Sequence, residues 1–226
     1  MSESLRDSAE NHLIEALELM QKDQIQEALK TLGKAEEAAY QAKANDIFLY
    51  VQTLKGHLMQ TIGAYDEALK IHSLALIAAE ELLSKNPDSE SYQSILQMNL
   101  DAIGNLGNLF YNMGRFPQTK NCYELHLSIS QKLLKNDPEN ITYQSDVAMI
   151  LNNLGNLLSD MGRIEEAKQR YEKALEMREK LLKNDPENIT YQSYVGGTLN
   201  NLGNLLSDMG RIEEAKQRYE KALEMR

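Results

Sequence analysis

Asparagine stands at positions 108, 156 and 204, each time directly after a Leu-Gly pair. A primary amide donates through its nitrogen and accepts through its oxygen, so a row of such residues can pair with the N–H and C=O groups of an extended chain. Each bond of this kind contributes about 0.5–1.5 kcal/mol net, and several in register add up. Asp160 and Asp208 follow four residues after two of the asparagines and add negative charge. The competing reading is a solvated residue copied along with its surroundings. Other chemistry-bearing residues are scattered. His12, His57, His72 and His126 show no ligand spacing, and Cys122 is the single cysteine, with no histidine at catalytic spacing. That thiol has no partner for an internal disulfide and is expected to be buried and inert. No zinc-protease pattern, phosphate-binding loop, nucleophile elbow or calcium loop occurs. Gly104-Asn105-Leu106-Gly107 resembles a glycine loop only superficially, because it lies inside a helical pattern. The expectation is a protein with no catalytic residues, no metal and no cofactor, hence not an enzyme.

The 226 residues carry a formal net charge of -10, with 42% hydrophobic and 26% charged residues. Such a surface repels polyphosphate, since nucleic-acid affinity comes largely from Lys and Arg displacing counterions. Nucleic acid is therefore not an expected partner. No apolar run approaches the roughly 18 residues that cross a bilayer, and Met1 to Glu10 does not read as a secretory signal. No membrane association and a cytoplasmic location are the expectations. In that compartment the Asn-Ile-Thr triplets at 140 and 188 read as helix caps, not glycosylation sites.

These residues must be positioned by a repeat. Residues 181–226 restate 133–178 with four changes: Tyr194 for Asp146, Gly196 for Ala148, Gly197 for Met149 and Thr198 for Ile150. The period is 48 residues (181 minus 133). The four changes read either as drift or as a softened groove beside Tyr194. Within a unit, Val147, Leu151, Leu154, Leu158 and Met161 are spaced at three and four, one apolar stripe on a helix. Ile164, Ala167, Tyr171, Ala174, Arg178 and Leu181 continue it on a second helix, with the stem of Arg178 expected to cover the stripe. Gly162 should close the first helix in a left-handed conformation. Asp137, followed by Pro138 and Glu139, reads as the N-cap of the next.

These residues resemble the tetratricopeptide repeat: Leu151, Leu154, Gly155, Leu158, Gly162, Ala167, Tyr171 and Ala174, restated as Leu199, Leu202, Gly203, Leu206, Gly210, Ala215, Tyr219 and Ala222. Earlier units match less fully, with His72 where an aromatic is expected and Ala16 in the glycine position. The usual family period is about 34 residues; the excess is close to four whole turns, so the unit is similar to the longer repeats of kinesin light chains. The resemblance implies an all-α, right-handed superhelical solenoid of antiparallel helix pairs. It would form one domain over 1–226 with five repeats, near 7–42, 45–85, 88–136, 138–184 and 187–226.

In that family the first helix of each pair lines a concave groove that holds extended peptides or partner helices. On a helical wheel Ser145, Met149, Asn152, Asn156, Ser159 and Asp160 form a stripe apart from Leu151, repeated from Ser193 to Asp208. The resemblance thus implies a protein-binding scaffold or adaptor whose groove is lined by Asn108, Asn112, Asn152, Asn156, Asp160, Asn200, Asn204 and Asp208. No Lys or Arg lies on the stripe in the last three units, so a carboxylate-gripping role is disfavoured and basic or neutral ligands are favoured. Arg115, Arg163 and Arg211, just after the glycines, read as local pairing residues. A second reading is a structural array that self-associates through its C-terminal helix pair.

Overall fold

The computed structural model describes residues 2–225. Among the described residues there are ten α-helices and no strand. They are α1 (Ser2–Gln21), α2 (Ile25–Ala42), α3 (Asn45–Thr61), α4 (Tyr65–Lys85), α5 (Glu90–Asn112), α6 (Phe116–Asn136), α7 (Ile141–Asp160), α8 (Ile164–Asn184), α9 (Ile189–Asp208) and α10 (Ile212–Leu223). No helix among them is long and apolar enough to cross a membrane. Two compact units divide within α5, one running up to Leu106 and the other from Gly107.

In the first unit α1 packs on α2 and α3 on α4, and α3 also packs on α2. Its core gathers Ala16, Ala28, Leu32, Ala35, Val51, Leu54 and Leu58. In the second unit α7 packs on α8 and α9 on α10, while α6 meets α7 and α8 meets α9. The predicted stripes fill this core: Val147, Leu151, Leu154 and Leu158 from α7, and Ala167, Tyr171, Ala174 and Leu181 from α8, are buried. Met161, the last residue of the predicted stripe, is instead exposed, because it stands at the C-cap where α7 ends.

Two punctuation marks behave differently from each other. Gly162 has φ +73°, the left-handed residue expected after the first helix. Of the two residues read as caps, it is Asn140 and not Asp137 that caps α7. The Asn140 side chain accepts from Tyr143 N at 3.2 Å, and Asn188 accepts from Tyr191 N at 3.2 Å. Asp137 instead ends α6, which runs on to Asn136, and its Oδ2 accepts from Asn140 Nδ2 at 3.1 Å. The reason is length: once α6 reaches Asn136, the turn through Pro138 leaves Asn140 as the residue in extended backbone ahead of the helix.

Arg178 also departs from expectation. Its guanidinium does not reach water beyond the stripe; the residue is buried between α8 and α9, donating from Nη1 to the Tyr194 carbonyl at 2.9 Å and to the Thr198 hydroxyl. It also lies over the Tyr194 ring, 5.2 Å from the centroid.

Candidate polar site on the first-helix face

The candidate residues group around a coupled trio in each of three repeats. Tyr123, Tyr171 and Tyr219 lie sixteen residues after Gly107, Gly155 and Gly203. A Cβ on those glycines would lie 2.6, 2.5 and 2.5 Å from the respective tyrosine Cε1 atoms. The missing side chain therefore lets each ring lie flat against the backbone of the first helix. From there each hydroxyl reaches the neighbouring asparagine, meeting Oδ1 of Asn108 at 2.6 Å, of Asn156 at 2.8 Å and of Asn204 at 2.7 Å. In the sequence these tyrosines read as packing aromatics only. The signal was there: the pattern Gly-Asn followed fifteen residues later by Tyr occurs three times, although its meaning depends on how the two helices cross.

In the second unit the first-helix face carries an open cavity of about 240 Å³, lined by Tyr111, Asn156, Ser159, Asp160, Asn204 and Asp208 together with Tyr171, Asn201 and Leu205. The Tyr111 hydroxyl donates to Asp160, and burial with that carboxylate pushes its pKa up to about 12. Two carboxylates, three amides and two phenols thus converge with no Lys or Arg in the lining. Such a surface accepts hydrogen bonds from cations and donates them from amide N–H groups.

The predicted residues separate into two groups. Asn156, Asp160, Asn204 and Asp208 come together in this cavity. Asn108 and Asn112 are exposed on α5, and Asn200 is exposed on α9. Asn152 does not belong with them: it is buried, with Oδ1 accepting from Thr198 Oγ1 at 3.3 Å and Asn201 Nδ2 at 3.2 Å. A first helix in a stack faces both its own second helix and the first helix of the next repeat, and Asn152 lies toward the latter. Asn201, absent from the sequence-based set, bridges Asn152 and Asn156, reaching the Asn156 Oδ1 at 3.2 Å.

Groups outside the cavity are engaged locally. Arg163 makes a two-pronged pair with Glu166 at 2.7 and 2.6 Å, and Arg211 repeats it with Glu214. Arg115 lies 4.6 Å from the centroid of the Phe110 ring. Cys122 is buried, and burial pushes its thiol up to about 12. In the first unit His57 and His72, far apart in the sequence pattern, bring their rings to 4.9 Å, and His72 Nδ1 meets Asn99 Oδ1 at 2.8 Å. Among the described residues no group of three or more His, Cys, Asp or Glu is placed to hold a metal ion.

Comparison with known proteins agrees with this construction. The tetratricopeptide repeat profile matches residues 94–180 and 146–226, more than half of the chain. No curated protein sequence matches it. Among solved structures, BtubC (BKLC) from P. vanneervenii is similar at a TM-score of 0.53 and 19% identity, over 99% of this chain and 90% of that one. A putative kinesin light chain from Podosopora anserina, with nearly identical repeats of the same type, gives 0.53 and 16% identity over 100% and 96%. A MamA protein gives 0.52 and 16% identity over 97% and 92%. At such identities the likeness extends to the fold, one of paired helices in about five repeats. The profile match and the repeated Leu-Gly, Ala and Tyr positions place the chain in the tetratricopeptide repeat family.

Proposed function

We propose that this protein acts by binding and not by catalysis, holding an extended peptide along the first-helix face of its second unit, with a Lys or Arg side chain of the peptide entering the cavity between Asp160 and Asp208. The observation that carries the reading is the cavity lining: asparagine amides in repeating register beside two carboxylates, with no cation of the protein among them. Amides suit a peptide backbone, and carboxylates with no Lys or Arg beside them in the lining suit a cationic side chain. The opposite ligand, an acidic peptide, would meet like charge.

The test is selection from a random library of 12-residue peptides against the wild type, Asn108→Ala/Asn156→Ala/Asn204→Ala, and Asp160→Asn/Asp208→Asn. The selected peptides should be enriched in one basic residue. Loss of three hydrogen bonds at about 0.5–1.5 kcal/mol each weakens binding by about ten-fold to a thousand-fold. The Asp pair variant should lose about ten-fold for basic peptides, less at high salt. Selected peptides that bind the asparagine variant as tightly as the wild type would sink the proposal. A mass that rises with protein concentration, with no peptide selected, would favour self-association instead.

A further inference from the structure

We infer that Asn108, Asn156 and Asn204 meet a ligand as hydrogen-bond donors only, and that Tyr123, Tyr171 and Tyr219 are the positioning residues that make them so. This rests on the groove reading above and adds its chemistry: the ligand edge facing the asparagines is one of acceptors, the backbone carbonyls of an extended chain.

The argument begins with the amide. A freely rotating asparagine can present either its oxygen or its nitrogen, so a ladder of such residues would be chemically ambiguous. Here each Oδ1 sits 2.6–2.8 Å from a phenol oxygen. A phenol gives its proton readily, whereas its oxygen lone pair is drawn into the ring and accepts poorly. Tyrosine hydroxyl donating to amide oxygen is therefore the favoured sense. Burial holds the proton in place, since it pushes the hydroxyl pKa of both Tyr123 and Tyr171 well above the usual tyrosine value. At Asn156 the oxygen is doubly engaged, because Asn201 Nδ2 also donates to it at 3.2 Å. Both lone pairs of that oxygen are used, and the amide N–H groups are what remain for a ligand.

The fixing has a cause in the sequence. The tyrosine hydroxyl reaches the amide only because its ring lies against the glycine that precedes the asparagine, where a Cβ would stand at 2.5–2.6 Å. Glycine, asparagine and tyrosine therefore form one device, present in three repeats. The second repeat departs from it, with Gly56, His57 and His72 in the equivalent places; two rings meet there in place of a hydroxyl and an amide. The donor ladder accordingly belongs to α5, α7 and α9, within the second unit.

Two measurements test this. The first needs no ligand. In Tyr171→Phe, which keeps the ring and removes the hydroxyl, the NMR shift of the Asn156 side-chain carbonyl carbon should move while the backbone spectrum of α7 stays in place. A shift confined to the side-chain nitrogen and its protons would show the amide reversed and overturn the inference. The second uses the tightest peptide from the library above, resynthesised with one backbone change at a time. Replacing a carbonyl by a thiocarbonyl weakens an acceptor, and N-methylation removes a donor. At the residues facing the asparagines the thiocarbonyl should weaken wild-type binding by about five-fold, one hydrogen bond's worth, with N-methylation at the same residues tolerated. The Tyr123→Phe/Tyr171→Phe/Tyr219→Phe variant should lose that discrimination at the residues facing Asn108 and Asn204, whose amides can turn over, and keep it at Asn156, which Asn201 still holds. The reverse pattern, with N-methylation harmful and the thiocarbonyl neutral, refutes the donor assignment while leaving the groove intact. Should no selected peptide depend on the three asparagines, the groove reading itself fails and the ligand chemistry falls with it.

Discussion

Two glycine-to-alanine substitutions of identical chemistry should move stability in opposite directions. Gly155 and Gly197 both lie inside helices, and alanine is favoured over glycine there by about 1 kcal/mol. At Gly197 a Cβ would meet nothing within 4 Å, so Gly197→Ala should collect that gain and stabilise the protein by about 0.5–1 kcal/mol. At Gly155 the new Cβ would stand 2.5 and 2.6 Å from Cε1 and Cδ1 of Tyr171. Carbon atoms settle near 3.5–4.0 Å, so the ring must retreat by about 1 Å. Tyr171 is packed against Leu158, Ala167 and Leu175, and overpacking of this kind costs about 1–3 kcal/mol. The retreat also draws the hydroxyl out of its 2.8 Å contact with Asn156, a further loss of about 0.5–1.5 kcal/mol. Against the helical gain, the net expectation for Gly155→Ala is destabilisation by about 1–3 kcal/mol.

The first repeat supplies the compensation. Ala16 occupies the glycine position, and the residue sixteen further on is Leu32, not an aromatic; both are buried in one cluster. Gly155→Ala/Tyr171→Leu should therefore recover most of the overpacking loss. Urea unfolding followed by circular dichroism reads the net effect. Because repeat arrays lose cooperativity between units, hydrogen exchange of the α7 and α9 amides should accompany it. An increase in midpoint for Gly155→Ala equal to that for Gly197→Ala would show that the tyrosine ring is not held against the helix, and the positioning argument would go with it.

Two further outcomes are expected. Thr198→Ile, which installs the residue of the preceding repeat, removes an acceptor from the buried Arg178 and should destabilise by about 1–3 kcal/mol; Arg178→Ser/Thr198→Ile should restore much of this in a double-mutant cycle of urea midpoints. Acid should weaken the first unit: burial, opposed by Asn99 and aided by His57, pulls the His72 imidazole from 6.5 down to about 4, so its stabilising contribution is complete above pH 6.5 and is lost as pH falls toward 4. The loss amounts to about 3 kcal/mol at most, and His57, also lowered by burial, acts in the same sense; unfolding midpoints at pH 7.5 and 5 should differ in the wild type and differ less in His72→Tyr.

Much of this was legible in the residues. Stripes at three and four gave the helix pairs, Gly162 gave the turn, and the repeated Asn156 and Asn204 led to the cavity face. What stayed hidden depends on contacts that one helix alone does not define. Asn152 and Asn156 sit one turn apart on the same polar stripe, yet one is buried against the next repeat and the other faces the cavity. A helical wheel has one inside and one outside, whereas a stacked first helix has two inner faces. Asp137 and Asn140 both read as caps in the sequence, and the choice between them turns on a neighbouring helix in the same way. Both are good capping residues three apart, and the end of the preceding helix decides between them.

The four differences between the last two repeats bear on the same point. Read within one helix, Tyr194, Gly196, Gly197 and Thr198 look like unrelated substitutions for Asp146, Ala148, Met149 and Ile150. Read across the interface, two of them answer a change in the preceding repeat. One period before Arg178 stands the small, buried Ser130, and one period before Thr198 stands the buried, apolar Ile150. Arg178, which burial pulls down to about 10, requires acceptors. The Thr198 hydroxyl and Tyr194 carbonyl supply them, and the Tyr194 ring lies beneath the guanidinium. A buried cation without such partners would be costly, so Arg178 and Thr198 constrain one another although 20 residues separate them. Gly196 and Gly197 have no such partner, and nothing in the structure explains them. Near-identical repeats thus become distinct at their contacts: the helices repeat the sequence, while the boundary between repeats records which side chains must meet.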